Sequence, residues 1–234
     1  GEFQKSIDWR IRQLGKLGVD IRLTSQVTPD LIQSIKPDVV VVATGSQPTT
    51  ESKFGAAYIW GPSLARTAGI PGSDMDHVYN PWDVLEGRLD DRCHVVLVDG
   101  VGYYQSSDPV EYLSSRNIKV TALSTAGYFA ADMLYNDRPN FLQVTSGKDV
   151  KFHNLAVLQE IGEDFVRFRD HETNGDMLLH DVDAVVLSLG NVPNDALFHA
   201  VEGTVPELYR IGDCVTPRRV EHAHYEGHKL GRQL

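Results

Sequence analysis

Hydrophobic residues recur at three- and four-residue spacing at the start of the chain, at Phe3, Ile7, Ile11 and Leu14, with charged Lys5, Arg10, Arg12 and Lys16 on the other side. That spacing predicts an amphipathic helix, with Gly15 and Gly18 offering a stop. Val19–Leu23 alternates like a short strand, and Pro29–Ile35 reads as a brief helix. The run Asp38 to Gly45 (DVVVVATG) does not alternate, which predicts a strand buried on both faces, as in a parallel sheet with helices above and below. Residues 46–76 are rich in Gly, Pro and small polar residues and read as loop with one helical turn.

A second unit opens with the apolar strand His94–Gly100, followed by a helix over Pro109–Arg116 and a strand over Lys119–Leu123. Strand, helix and parallel strand within about 30 residues is the βαβ pattern. Val150–His153, Ala156–Ile161, Asp164–Arg169 and Met177–Leu179 read as an antiparallel meander, with Asn174-Gly175 as a tight turn before the last strand. Ala184–Gly190 closes the unit, Leu208–Asp213 is a further strand running into a loop, and the chain turns helical from about Val220.

Composition narrows the classes. A hydrophobic fraction of 41% over 234 residues suits a packed core, and a net charge of -10 argues against holding nucleic acid or an anionic membrane. No apolar run reaches the roughly 20 residues of a membrane span, so the expected place is the cytoplasm. Cys93 and Cys214 form no C-x-x-C and are expected as separate thiols. His222, His224 and His228 are read as a polar helix face, because no Cys or carboxylate completes a zinc ligand set. Arg218 and Arg219 read as solvated after Pro217, although either could meet a phosphate or a partner domain.

Four motifs stand in order: VVVVATGSQP at Val39–Pro48, IPG with DVLEG between Ile70 and Gly87, VVLSLGNVPN at Val185–Asn194, and RIGDC at Arg210–Cys214 with Ala223 and Glu226-Gly227 beyond it. Over nearly the whole chain this resembles the C-terminal nucleotide-binding region of trimethylamine dehydrogenase, histamine dehydrogenase and 2,4-dienoyl-CoA reductase, the NADH:flavin oxidoreductase (old yellow enzyme-like) group. The N-terminal half of that group is an FMN barrel. The resemblance implies a doubly wound Rossmann-like α/β fold of two lobes, the second inserted in the first. The first lobe is expected over 1–87 and 191–234, and the second over 88–190.

The resemblance also implies a site. Ala43, Thr44 and Gly45 would lie against the adenosine part of FAD or ADP, and Gly212 and Asp213 would reach the ribityl and phosphate groups, with Ala223, Glu226 and Gly227 beside them. Glycines let backbone approach a nucleotide closely, and a carboxylate accepts from ribose or ribityl hydroxyls. The implied function is the FAD- or ADP-binding region of a flavin oxidoreductase acting on an amine or enoyl substrate. FMN, with an iron–sulfur cluster as a further candidate, would sit in the N-terminal part. The implied partner is that barrel, in the same polypeptide or a companion subunit, with a homo-oligomer also open.

Two departures qualify it. A dinucleotide lobe should open with strand, G-x-G-x-x-G and helix. No such module precedes Phe3, so the chain is expected to be a piece of a longer polypeptide, or else to receive that strand from another chain, and to be inactive alone. In the second lobe the three fingerprint glycine positions are Asp99, Val101 and Tyr104, leaving Gly100 and Gly102 as weak candidates. Ser124-Thr125-Ala126 also lacks an acid for an NAD ribose, which argues against NAD(P) and sides the chain with the amine dehydrogenases. Asp99 reads as a loop cap, and Tyr103, Tyr104, Tyr128 and Phe129 as packing of an abandoned cleft. Two other classes stay open, an NAD(P)H:flavin electron-transfer subunit and a non-catalytic structural or interaction domain.

Overall fold

A computed structural model of the chain describes residues 2–49 and 69–234. Within 46–76, the stretch 50–68 lies outside the described residues. The chain divides into two compact units, Gly1–Val42 with Asp195–Arg210, and Ala43–Asn194 with Ile211–Leu234. Among the described residues no helix is long and apolar enough to cross a membrane.

The first unit holds helices α1 (Glu2–Lys16) and α2 (Pro29–Ile35), strand β1 (Val39–Val42), and, later in the chain, a helix over Ala196–Val201 and a strand over Glu207–Arg210. Thr28 caps α2, its hydroxyl accepting from the Leu31 amide, and Pro29 suits the first turn because its missing N–H has no partner to lose there. β1 pairs in parallel with Glu207–Arg210, Val39 opposite Glu207 and Val42 opposite Arg210. That is its one partner among the described residues, so the expected burial on both faces is met only at Val42, while Val41 is exposed. The strand expected over Val19–Leu23 is not formed. Its alternating residues Val19, Ile21 and Leu23 are all exposed, and alternation without a partner strand has no backbone ladder to close. The helix α1 is present, but Ile7, Ile11 and Leu14 of its apolar stripe are exposed.

The second unit is built on a five-stranded sheet. Its strands are β3 (Val78–Tyr79), β4 (His94–Asp99), β5 (Lys119–Ser124), β6 (Val150–His153) and β10 (Ala184–Ser188), in the order β3-β10-β4-β5-β6, with every pair parallel. β4 and β10 are buried at every residue, as their unbroken apolar runs require. Alternate side chains feed two cores. Val95 and Leu97 pack with Val110 and Leu113 of helix α4 (Tyr104–Ser115) and with Phe129 and Phe141. Val96 and Val98 pack on the other face with Ile161, Val166 and Phe168 of a three-stranded antiparallel meander, β7 (Ala156–Ile161), β8 (Phe165–Asp170) and β9 (Gly175–His180).

Several expectations shift. Val150–His153 belongs to the parallel sheet rather than to the meander. The turn before β9 spans residues 171–174, wider than a two-residue hairpin; Asn174 takes the left-handed conformation, and the Asp170 carboxylate accepts from the Glu172 and Thr173 amides. Those amides hold the Asp170 carboxyl below its ordinary range. Helix α4 starts five residues before Pro109, where it had been expected to begin. A short helix α3 (Pro81–Leu85) and a helix α5 (Arg138–Thr145) are additional. The short strands β2 (Ser46–Pro48) and β11 (Asn191–Pro193) pair antiparallel. The chain ends in helix α7 (Val220–Leu230), so that Ala196–Val201 is α6 and Glu207–Arg210 is β12.

Candidate functional site

The β2–β11 pair brings two distant motifs together. Asn191 stands opposite Pro48 and Pro193 opposite Ser46, and the Thr49 amide donates to Gly190 O at 3.0 Å. On the near side, Asn194 N–H donates to Gly45 O at 3.0 Å and the Thr44 hydroxyl donates to Asn194 O. The backbone at Ala43–Ser46 is thus pinned by main-chain contacts while Ala43 and Thr44 stay exposed. Gly45 has φ +74, which side chains of L residues rarely adopt, and a Cβ built there meets nothing within 4 Å. Open space beside an unhindered backbone is what a closely approaching ligand needs.

Gly212 opens a single 3-10 turn, Gly212–Cys214, whose last residue is a buried, free thiol. Its φ is +68, and a Cβ there would sit 3.5 Å from Ala223 Cβ on α7. The next residue, half-buried Asp213, is reached from the other motif. Ser46 Oγ donates to Asp213 Oδ2 at 3.2 Å, Asn191 Nδ2 donates to Ser46 Oγ at 3.0 Å, and the Arg218 amide donates to Asp213 Oδ1 at 3.1 Å. A carboxylate has about four acceptor positions. Two of these are used here, leaving capacity toward solvent.

Glu226 locks the turn from α7. One of its oxygens accepts from Gly212 N–H at 2.7 Å, and the other pairs with the Arg218 guanidinium. The guanidinium, and then the Gly212 amide, hold the Glu226 carboxyl below its ordinary range. Gly227 lies under Ile211, 3.9 Å from a Cβ built on it. The structure therefore gathers Gly45, Gly212, Asp213, Ala223, Glu226 and Gly227, all within the second unit. It adds Ser46, Asn191 and Arg218, which sequence reasoning did not place there. Arg218 was expected to be solvated; its guanidinium is instead anchored by Glu226. Arg219 lies over the Tyr103 ring at 4.5 Å. The weak candidates Gly100 and Gly102 lie at the turn after β4. A Cβ on Gly100 would be 3.0 Å from Leu189 Cδ2, so this glycine answers to packing. Among the described residues no cluster of three His, Cys, Asp or Glu side chains could hold a metal ion.

Comparison with known proteins puts a class on this arrangement. No family model matches the chain. The probable N-methylproline demethylase of Rhizobium meliloti (strain 1021) is 24% identical over 257 residues, covering 97% of this chain and 35% of that protein. A 2-naphthoyl-CoA reductase complex superposes with a TM-score of 0.84 at 27% identity, covering 100% of this chain and 32% of that one. The 6-hydroxypseudooxynicotine amine oxidase of Pseudomonas geniculata N1 gives 0.86 at 26% identity, covering 96% and 33%. The chain thus spans about a third of the length of the relatives it matches.

The fold is that of the FAD/NAD-binding, Rossmann-like regions of flavin-dependent oxidoreductases. Relatives of this kind, N-methylproline demethylase, dimethylamine dehydrogenase and 2-naphthoyl-CoA reductase among them, match the chain with their C-terminal region.

Proposed function

We propose that the crevice formed by Ala43–Ser46 and the Gly212–Asp213 turn is the FAD- or ADP-binding site of a flavin-dependent oxidoreductase acting on an amine or an enoyl substrate. The observation that carries it is the convergence on Asp213. Ser46 Oγ and the Arg218 amide fix its carboxylate through hydrogen bonds, Asn191 holding the Ser46 hydroxyl in turn, while acceptor positions stay free. On this reading the open space beside Gly45 takes the adenosine, and the free acceptor positions of Asp213 take ribose or ribityl hydroxyls. The Glu226–Arg218 pair holds the turn in the shape the ligand meets.

A flavin would supply hydride chemistry when bound; these residues bind and orient. The reacting FMN belongs to a barrel domain, the partner this region serves, in the same polypeptide or a companion subunit. On this reading the first nucleotide-binding lobe comprises 1–87 and 191–234, with 88–190 inserted as the second. The test is extraction of nucleotide from the native polypeptide purified without added cofactor, followed by mass analysis. Stoichiometric ADP or FAD, lost on substitution of Asp213, is the expected result. A folded protein with no adenine nucleotide, or one whose nucleotide content ignores Asp213, overturns the reading.

A further inference from the structure

The turn after β4 stands where an open parallel sheet normally takes a dinucleotide, outside the carboxyl ends of the central strands. Asp99 is the last residue of β4 and lies opposite Ser188, the last residue of β10. In dinucleotide-binding lobes the amides of this turn face the pyrophosphate. Here each of the first three is spent inside the protein. Gly100 N–H donates to Ser188 O at 2.9 Å, while Val101 and Gly102 N–H donate to Asp99 Oδ1 at 3.2 and 2.7 Å.

The same carboxylate gathers more donors. Ser106 Oγ lies 2.6 Å from Oδ1, and the Ala130 amide and Ser124 Oγ reach Oδ2 at 2.9 and 3.3 Å. Asp99 is 2% exposed. Donors from β5, from the loop after β5 and from α4 thus converge on one buried anion. The flanking rings are engaged as well, Tyr103 beneath Arg219 and the Tyr104 hydroxyl on the Asp137 carboxylate.

We infer that Asp99 is an internal anion standing in for a ligand's phosphate, and that it is the residue by which this strand–turn–helix refuses NAD(P)H and other pyrophosphate ligands. Two effects combine. The carboxylate consumes the amides that would bind pyrophosphate, and its charge repels a second anion at close range. The inference stands apart from the Gly212 crevice and survives if that site proves empty.

The test reads the Val101 and Gly102 amide resonances and the melting temperature while the chain is titrated with inorganic pyrophosphate and, separately, NADH. Reading those two amides keeps binding at the Gly212 turn from being mistaken for binding here. In the wild-type chain neither ligand should move them at millimolar concentration. Asp99→Gly should lower the melting temperature by about 5–10 °C, on the scale expected for orphaned buried donors. Pyrophosphate should restore at least half of that loss and shift both amides. Asp99→Asn, which keeps the size and removes the charge, covers the case in which the glycine variant does not fold, and should show a smaller loss with a weaker pyrophosphate response. Wild-type amides that shift with micromolar NADH or pyrophosphate overturn the inference. So does an Asp99→Asn chain that melts like the wild type and ignores pyrophosphate.

Discussion

Ser46 and Asp213 lie 167 positions apart and meet through a hydrogen bond of 3.2 Å, donated by the serine hydroxyl. The contact joins the ATGS and GDC motifs into one surface and aims the Asp213 carboxylate. Aiming and binding should separate on substitution. In the native polypeptide, Asp213→Ala should weaken FAD or ADP retention by about 10- to 100-fold, the worth of hydrogen bonds to a charged group. Ser46→Ala should weaken it by about threefold, since Asp213 keeps the Arg218 amide. Melting temperatures should stay within about 2 °C of wild type, because both groups are at most half-buried. Equilibrium dialysis with labelled nucleotide reads the affinities. Equal losses in the two variants would show that Asp213 does not contact the ligand.

Glu226 gives a pH dependence of known sign. Arg218 and the Gly212 amide favour its charged form, so its carboxyl lies below the ordinary 4.5 in the folded protein. The stabilisation is complete above that ordinary value and is lost as pH falls through the lower, folded one. Glu226→Gln should cost about 1 kcal/mol at neutral pH, a discounted figure for a partly solvated pair. The wild type and the variant should draw together as pH falls from 4.5 through the lower, folded value. Urea melts across that range check it, and a pH-independent gap between the two proteins would mean that the pair adds nothing through charge.

The uneven legibility of the chain has physical causes. β4 and β10 were readable because strands buried on both faces must be apolar throughout, and the four motifs gave the fold class. Val19–Leu23 alternates just as a half-buried strand does, yet alternation says nothing about whether a partner strand exists. Helix α5 escaped notice because Pro139, Asn140 and Gln143 weaken its apolar period, although Phe141 is fully buried. Val150–His153 has the length and composition of a meander strand, and only its pairing with β5 assigns it to the parallel sheet. At the candidate site the glycines and Asp213 carried sequence signals. Ser46 and Asn191 did not, because their role is a contact made across more than a hundred residues. A signal for Arg218 did exist, since an arginine eight residues before a glutamate can reach across a turn into the following helix.

The meander should behave as part of the core of its unit. Phe168 is fully buried among Val96, Leu123, Val185 and Leu187, with the His153 ring edge-on at 5.1 Å. Phe168→Ala should cost about 3–5 kcal/mol through lost burial and a cavity that rigid β-strands fill poorly. That corresponds to a fall of about 10 °C in melting temperature. Arg169→Ala on the same strand removes a surface pair with Asp176 and a hydrogen bond to the Asn174 side chain, both at the solvent edge, and should leave the melting temperature nearly unchanged. Similar melts for the two variants would mean that the meander contributes little to the packed core.

Tyr104 offers an optical report on the closed turn after β4. Its hydroxyl donates to the Asp137 carboxylate, and this bond, with burial adding to it, pushes the phenol up to about 12 from an ordinary 10. A phenolate beside a carboxylate loses the hydrogen bond and gains a repulsion. The neutral form is therefore the one the fold favours: its stabilisation is complete below pH 10 and is lost as pH rises through about 12. Subtracting the ultraviolet titration of Tyr104→Phe from that of the wild type isolates this ring from the other tyrosines. The difference should show phenolate forming near 12, and Asp137→Asn should bring it back toward 10. Because Tyr104 occupies the third glycine position of a dinucleotide fingerprint, a ring held this way cannot swing aside to admit a pyrophosphate without breaking the bond. A step at 10 in the wild type, unmoved by Asp137→Asn, would show that the ring is free and that only Asp99 keeps the turn closed.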